Sequence, residues 1–171
     1  MTKGDAAVIA LAGNPNTGKS SIFNRLTGLT QHTGNWPGKT VSKAEGTFER
    51  GRQVYRIVDL PGTYSMNASS PEETIARDYL ISSEPDVVVV VVDAANLERN
   101  LYLAVQVIEM GKPTVIALNM ADVAEGQGID IDADALAKSL SVPVVRTVGR
   151  KGEGLDRLIE VVRLALPVEV R

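Results

Sequence analysis

Apolar positions along this chain switch repeatedly between two periods. Val8–Ala12 is a short unbroken apolar run, the pattern of a buried strand, and Lys19–Leu26 follows with helical spacing. Thr27 to Thr40 is polar and contains glycine, which predicts a loop. Val41–Glu49 and Val54–Asp59 read as two strands joined by a turn at Arg50-Gly51-Arg52. Pro71–Ile81 reads as a helix, with Ser70 as its N-cap and Pro71 at the first helical position. Val87–Val92 is β-branched throughout, as expected of a central parallel strand covered on both faces. Leu101, Ala104, Val105 and Ile108 place one apolar face on a helix over Leu97–Met110, and Gly111 stops it. Thr114–Leu118 and Val142–Val148 are further strands. Between them Asp132 caps a helix over Ala133–Leu140, and the last helix, Leu155–Leu166, carries Leu155, Leu158, Ile159 and Val162 on one face.

This alternation predicts a single α/β domain over residues 1–171. Its sheet should be mostly parallel and six-stranded, with helices on both faces. Val41–Glu49 should run antiparallel at the edge, because a short turn joins it to the next strand. Ligands of such sheets bind beyond the C-terminal strand ends, where Gly13, Asp59, Asn119 and Val148-Gly149 all fall.

Composition narrows the chemistry. With 44% hydrophobic and 23% charged residues the chain is ordinary for a soluble domain, and the longest strongly apolar run is too short to cross a bilayer. The net charge of −3 gives no basic field for nucleic acid. There is no cysteine, which removes thiol catalysis, disulfides and zinc–thiolate sites. His32 is the single histidine, so no histidine-based metal cluster or Ser-His-Asp triad can be assembled. His32 and Trp36 are expected to make exposed loop contacts.

Gly13-Asn14-Pro15-Asn16-Thr17-Gly18-Lys19-Ser20 fits the phosphate-binding pattern G-x-x-x-x-G-K-[ST], between a strand and a helix. The glycines let backbone N–H groups converge on a polyphosphate at the helix N-terminus, which Ser21 continues. Lys19 offers a charge to the β- and γ-phosphates, and Ser20 a hydroxyl to magnesium.

Two further strand ends specify the nucleotide. Asp59-Leu60-Pro61-Gly62 places a carboxylate where it holds magnesium through water, and the Gly62 N–H where a γ-phosphate would lie. Asn119-Met120-Ala121-Asp122 supplies a carboxylate able to accept from guanine N1–H and the exocyclic amine, a donor pair adenine lacks. Asn119 can brace the phosphate loop.

This ordered set resembles a translation-factor-class GTPase domain. Gly34-Asn35-Trp36-Pro37-Gly38-Lys39-Thr40, Asp59-Leu60-Pro61-Gly62-Thr63-Tyr64-Ser65 and Asn96-Leu97-Glu98-Arg99-Asn100-Leu101 resemble, more specifically, the G domain of FeoB, the bacterial ferrous iron transporter. The similarity runs from about Val8 to Leu166. It implies the P-loop GTPase fold, GTP and GDP as ligands, Mg2+ as cofactor and stimulation by K+. It also implies that Thr40 is the switch I threonine that coordinates magnesium, within a mobile loop that includes Gly38, and that residues 59 to about 77 form switch II. Asn16 matches an asparagine associated with potassium-stimulated members. Location at the cytoplasmic side of the bacterial inner membrane follows from the same resemblance, with the membrane-embedded transporter as partner and association between G domains left open. The family's helical and transmembrane parts are not in this chain. The alternatives are a GTP-dependent binding module with incidental hydrolysis, and a ribosome- or tRNA-associated GTPase.

Two departures shape the expected activity. Thr63 stands where Ras-like enzymes have a water-orienting glutamine, so intrinsic hydrolysis should be slow, with Lys19, Thr40, Gly62 and Thr63 left as the catalytic set. In the last base-binding loop, Thr147-Val148-Gly149 replaces the usual Ser-Ala pair. The serine hydroxyl is missing and Gly149 should loosen the loop, which predicts modest affinity and fast GDP release.

Overall fold

A computed structural model describes residues 6–170. Seven strands form one sheet: β1 (Ala7–Gly13), β2 (Gln31–Asn35), β3 (Ser42–Arg50), β4 (Gln53–Asp59), β5 (Val87–Asp93), β6 (Thr114–Asn119) and β7 (Val144–Arg146), in the order β2-β3-β4-β1-β5-β6-β7. The helices are α1 (Lys19–Thr27), α2 (Pro71–Ile81), α3 (Leu97–Glu109), α4 (Ala121–Gly126), α5 (Ala133–Leu140) and α6 (Leu155–Ala165). Strands β4, β1, β5, β6 and β7 are mutually parallel, and β3 runs antiparallel to both β4 and β2.

β5 shows why the sheet is covered on both sides. Val87, Val89 and Val91 pack into one apolar cluster with Ile22 and Phe23 of α1 and Leu158, Ile159 and Val162 of α6. Val88, Val90 and Val92 enter a second cluster with Ile75, Ala76 and Leu80 of α2 and Leu103, Ala104 and Val107 of α3. A period of two thus feeds two cores, and each fully buried valine contributes on the order of 1.5–3 kcal/mol relative to exposure.

The sheet has seven strands rather than six. The extra one, β2, lies in the segment expected to be a loop and takes the edge position expected of Val41–Glu49. Its residues are half-buried or exposed, so no hydrophobic alternation announces it. It forms because the long β3 would otherwise present a row of unpaired backbone groups, and β2 satisfies five of its positions. Trp36, at the end of β2, is also buried rather than exposed: it meets the Tyr79 ring edge-on at 5.5 Å, and Lys43 Nζ lies 4.8 Å from its centroid. The buried face of α3 is Asn100, Leu103, Ala104 and Val107, rotated from the expected stripe, while Val105 is exposed. The last strand is shorter than expected. Pro143 lacks a ladder donor, and Val148 pairs with Glu153 instead of continuing β7.

Candidate nucleotide-binding site

The loop after β1 is shaped by positions at which side chains do not fit. A β-carbon at Gly13 would stand 2.7 Å from Val91 O. Asn16 and Gly18 adopt positive φ angles of 64° and 82°, which turn the backbone under α1. α1 has no side-chain cap, so its first N–H groups are available to an anion. Thr17 is buried and its hydroxyl donates to Asn14 O at 3.1 Å, closing the loop from beneath.

Three adjoining hollows form one trench around this loop. The first, about 580 Å3, is lined by Lys19, Ser20, Asp59, Leu60, Pro61 and Gly62 together with β2–β3 residues including Thr33, Asn35 and Lys43. The second, about 480 Å3, is lined by Asn14, Pro15, Asn16, Gly18, Lys19, Ser20, Ser21 and Gly62. The third, about 110 Å3, is lined by Gly18, Ser21, Asn119, Met120, Asp122, Val148 and Gly149, with Arg150 at its rim. Lys19, Ser20 and Gly62 are shared by the first two, Gly18 and Ser21 by the last two. Most of the residues singled out in the sequence therefore line one continuous surface.

At the phosphate end, Lys19 is almost fully buried. Its ammonium donates to Asp59 Oδ1 and to Leu60 O, the latter at 2.7 Å. Burial raises the Asp59 carboxyl above the ordinary aspartate range, and the Lys19 charge opposes that rise. Gly62 packs against Pro15, where a β-carbon would sit 3.2 Å from Pro15 Cα. Among the described residues no cluster of three or more His, Cys, Asp or Glu forms a self-sufficient metal cage. One hydroxyl and one carboxylate, Ser20 and Asp59, suit magnesium that takes its remaining ligands from phosphate oxygens and water. Asn16 is exposed at the rim beside them.

Five expected residues line none of the three hollows: Gly13 and Thr17 lie within the loop itself, and Gly38, Thr40 and Thr63 lie elsewhere. Gly38 and Thr40 sit in the exposed turn between β2 and β3 and do not line the trench. The reason is the β2–β3 ladder and the buried Trp36, whose backbone N–H donates to Val41 O at 3.0 Å and fixes that turn. Thr63 is buried, with its N–H donating to Gly13 O at 3.2 Å, and it lines none of the three hollows.

At the base end, Asn119 is 2% exposed and makes three hydrogen bonds. Its Nδ2 donates to Thr17 O at 2.8 Å, and its Oδ1 accepts from Thr147 Oγ1 and Gly149 N–H, each at 2.9 Å. Met120 turns the chain with φ 59° into α4, placing Asp122 in the first turn of that helix. Arg150 Nη2 donates to Asp122 Oδ2 at 2.9 Å. This bond, aided by the Val123 N–H and the Arg150 and Lys151 charges, holds the Asp122 carboxyl below its ordinary range despite partial desolvation. The group is therefore an anion at neutral pH, the state able to accept two hydrogen bonds.

The serine hydroxyl expected to be missing has no counterpart at Val148 or Gly149, but the last loop is packed and bonded at Thr147, Gly149 and Arg150. The Thr147 hydroxyl orients Asn119, a role the sequence reading missed although Thr147 stands immediately before Val148-Gly149. Gly149 is buried, and a β-carbon there would lie 2.7 Å from Ile22 Cγ1. Arg25 Nη2 donates to Arg150 O at 2.6 Å and ties the loop to α1.

A strand-turn-helix loop with free helix N–H groups, joined through Asn119 to an acidic corner at Asp122, has the arrangement of a P-loop GTP-binding G domain. The family model for ferrous iron transport protein B matches residues 7–162, and the chain belongs to that family, as the N-terminal G domain. It is 53% identical over 153 residues to the Fe(2+) transport protein A/Fe(2+) transporter FeoB fusion protein of Porphyromonas gingivalis, an alignment covering 89% of this chain and 18% of that one. An S. thermophilus NFeoB mutant bound to GDP superposes with a TM-score of 0.90 at 49% identity, covering 96% of this chain and 65% of that one. The G domain of the T. maritima FeoB iron transporter gives 0.89 at 44% identity, covering 94% and 99%. The chain thus spans about a fifth of the length of the curated relatives it matches.

Proposed function

We propose that this domain binds GTP and hydrolyses it to GDP and phosphate, slowly on its own and faster in potassium, and so regulates Fe(II) transport by the longer protein of which its relatives are part. The supporting observation is the trench itself, with an ionised Asp122 at one end and Lys19, Ser20 and Asp59 at the other. In this reading Lys19 exchanges Asp59 and Leu60 O for the β- and γ-phosphates, while the α1 and Gly62 N–H groups hold charge on the transferring phosphoryl group. Ser20 and Asp59 would hold magnesium, which when bound would neutralise phosphate charge. Asn16 is the potassium ligand. Thr40, exposed in the turn closed by the Trp36–Val41 hydrogen bond, would join the residues holding magnesium only if that turn rearranged, as a switch I does. The partners are guanine nucleotide and the membrane-embedded transporter, with the domain at the cytoplasmic face of the bacterial inner membrane.

A second reading, a GTP-dependent binding module with incidental turnover, is favoured by one observation: Thr63 is buried and faces none of the trench. Single-turnover GTP hydrolysis in potassium and in sodium separates the two. Measurable hydrolysis that is faster in potassium supports the enzyme, whereas negligible turnover in both salts supports the module.

A further inference from the structure

Beyond Gly62 the chain leaves the sheet. Leu60 N–H donates to Leu11 O at 3.0 Å and Thr63 N–H to Gly13 O at 3.2 Å, so the segment is stitched to β1 as far as Thr63. It regains regular structure only at Ser70, whose side chain accepts from Glu73 N–H to cap α2. Between these points the hydrogen bonds are local, Asn67 N–H to Ser65 Oγ and Ser69 to Glu73, with one exception among the described residues. Gln106 on α3 reaches across: its Oε1 accepts from Met66 N–H at 2.9 Å and its Nε2 donates to Asn67 Oδ1 at 3.2 Å. The Met66 side chain is buried in the same apolar cluster as Leu103 and Val107, which stand one turn before and immediately after Gln106 on α3. Ala68 then takes a left-handed φ of 58°, a conformation alanine holds only when its neighbours are fixed.

We propose that Gln106 is a positioning residue for switch II. By gripping backbone and side chain at consecutive residues, it fixes the exit of the segment whose entrance carries Gly62 and Thr63, and it couples the position of the phosphate-contacting N–H to α3. The catalytic consequence rests on the GTPase reading above; the grip itself does not.

The test compares Gln106→Leu, which removes both hydrogen bonds at similar volume, with Gln106→Glu, which keeps an acceptor for Met66 N–H. Residue-resolved hydrogen exchange, single-turnover GTP hydrolysis and GDP calorimetry are measured on each. In the leucine variant, exchange at Met66 and Asn67 should rise about five-fold, the scale of one lost hydrogen bond, and hydrolysis should slow by a similar factor. GDP affinity should stay within about two-fold of the parent, because the purine corner is untouched. The glutamate variant should recover most of the protection and rate. Unchanged exchange in the leucine variant overturns the grip. Faster exchange with unchanged hydrolysis overturns the positioning role. A parent protein that does not hydrolyse GTP overturns the hydrolase reading, and the exchange measurement still decides the grip.

Discussion

Asn119 Nδ2 occupies the space that a β-carbon on Gly18 would need, and from there it donates to Thr17 O across 102 residues of sequence. The glycine of the phosphate loop and the asparagine of the purine corner are therefore one structural unit. Gly18→Ala should displace Asn119 and strain a φ of 82°. The expected result is a fall in GDP affinity of at least about ten-fold, together with a lower melting temperature, read by calorimetry and thermal denaturation.

Thr147 fixes Asn119 from the other side. Thr147→Val keeps the shape but leaves Asn119 Oδ1 only the Gly149 N–H. The cost should be about 1 kcal/mol, or roughly five-fold in GDP affinity. Thr147→Ser should restore it. With Gly149 packed on Ile22 and Arg150 tied to Arg25, GDP release should be slower than the fast exchange that the loop's composition suggests. Stopped-flow release of a fluorescent GDP measures this.

Asp122 is expected to set base choice. Asp122→Asn should weaken GDP and relatively favour xanthosine diphosphate, since the amide presents a donor where the carboxylate only accepts. The depressed carboxyl has a pH consequence. Its folded-state pKa lies below the unfolded one, so its favourable contribution is present above the ordinary aspartate range and is lost only as the pH falls through the lower folded value. GDP affinity should therefore show no loss attributable to Asp122 between pH 7 and about pH 5.

Trp36 is the single tryptophan and is 7% exposed, against Tyr79 and Lys43. If Thr40 must leave its exposed turn to reach magnesium, Trp36 moves with it. Adding a nonhydrolysable GTP analogue with magnesium should shift Trp36 emission to longer wavelength, while GDP should not. An unchanged spectrum with the bound analogue would separate Thr40 from the metal site.

The fold was readable where packing dictates periodicity. The β5 valines, the Ser70 cap of α2 and the α6 face all emerged in their expected places because burial leaves a direct trace in residue type. β2 did not, because an exposed edge strand is specified by its neighbour's backbone and not by its own side chains. Trp36 departs from the expectation for a related reason: it packs on Tyr79 of α2, distant in sequence, and on Lys43 of the neighbouring strand. In the site, Lys19, Asp59, Asn119 and Asp122 were legible from motif and strand-end position. The tertiary hydrogen bonds of Thr147, Arg150 and Gln106 were not, since each depends on which loop or helix comes to lie alongside.

In the proposed function a guanine nucleotide lies along the trench, with its phosphates at Lys19 and its base at Asp122. Calorimetric titration of the domain with GDP, ADP and a nonhydrolysable GTP analogue in the presence of magnesium tests this most directly. Saturable one-to-one binding of both guanine nucleotides, with ADP weaker by at least about a hundred-fold, is the predicted result. ADP binding as tightly as GDP, or no heat with either guanine nucleotide, would contradict it.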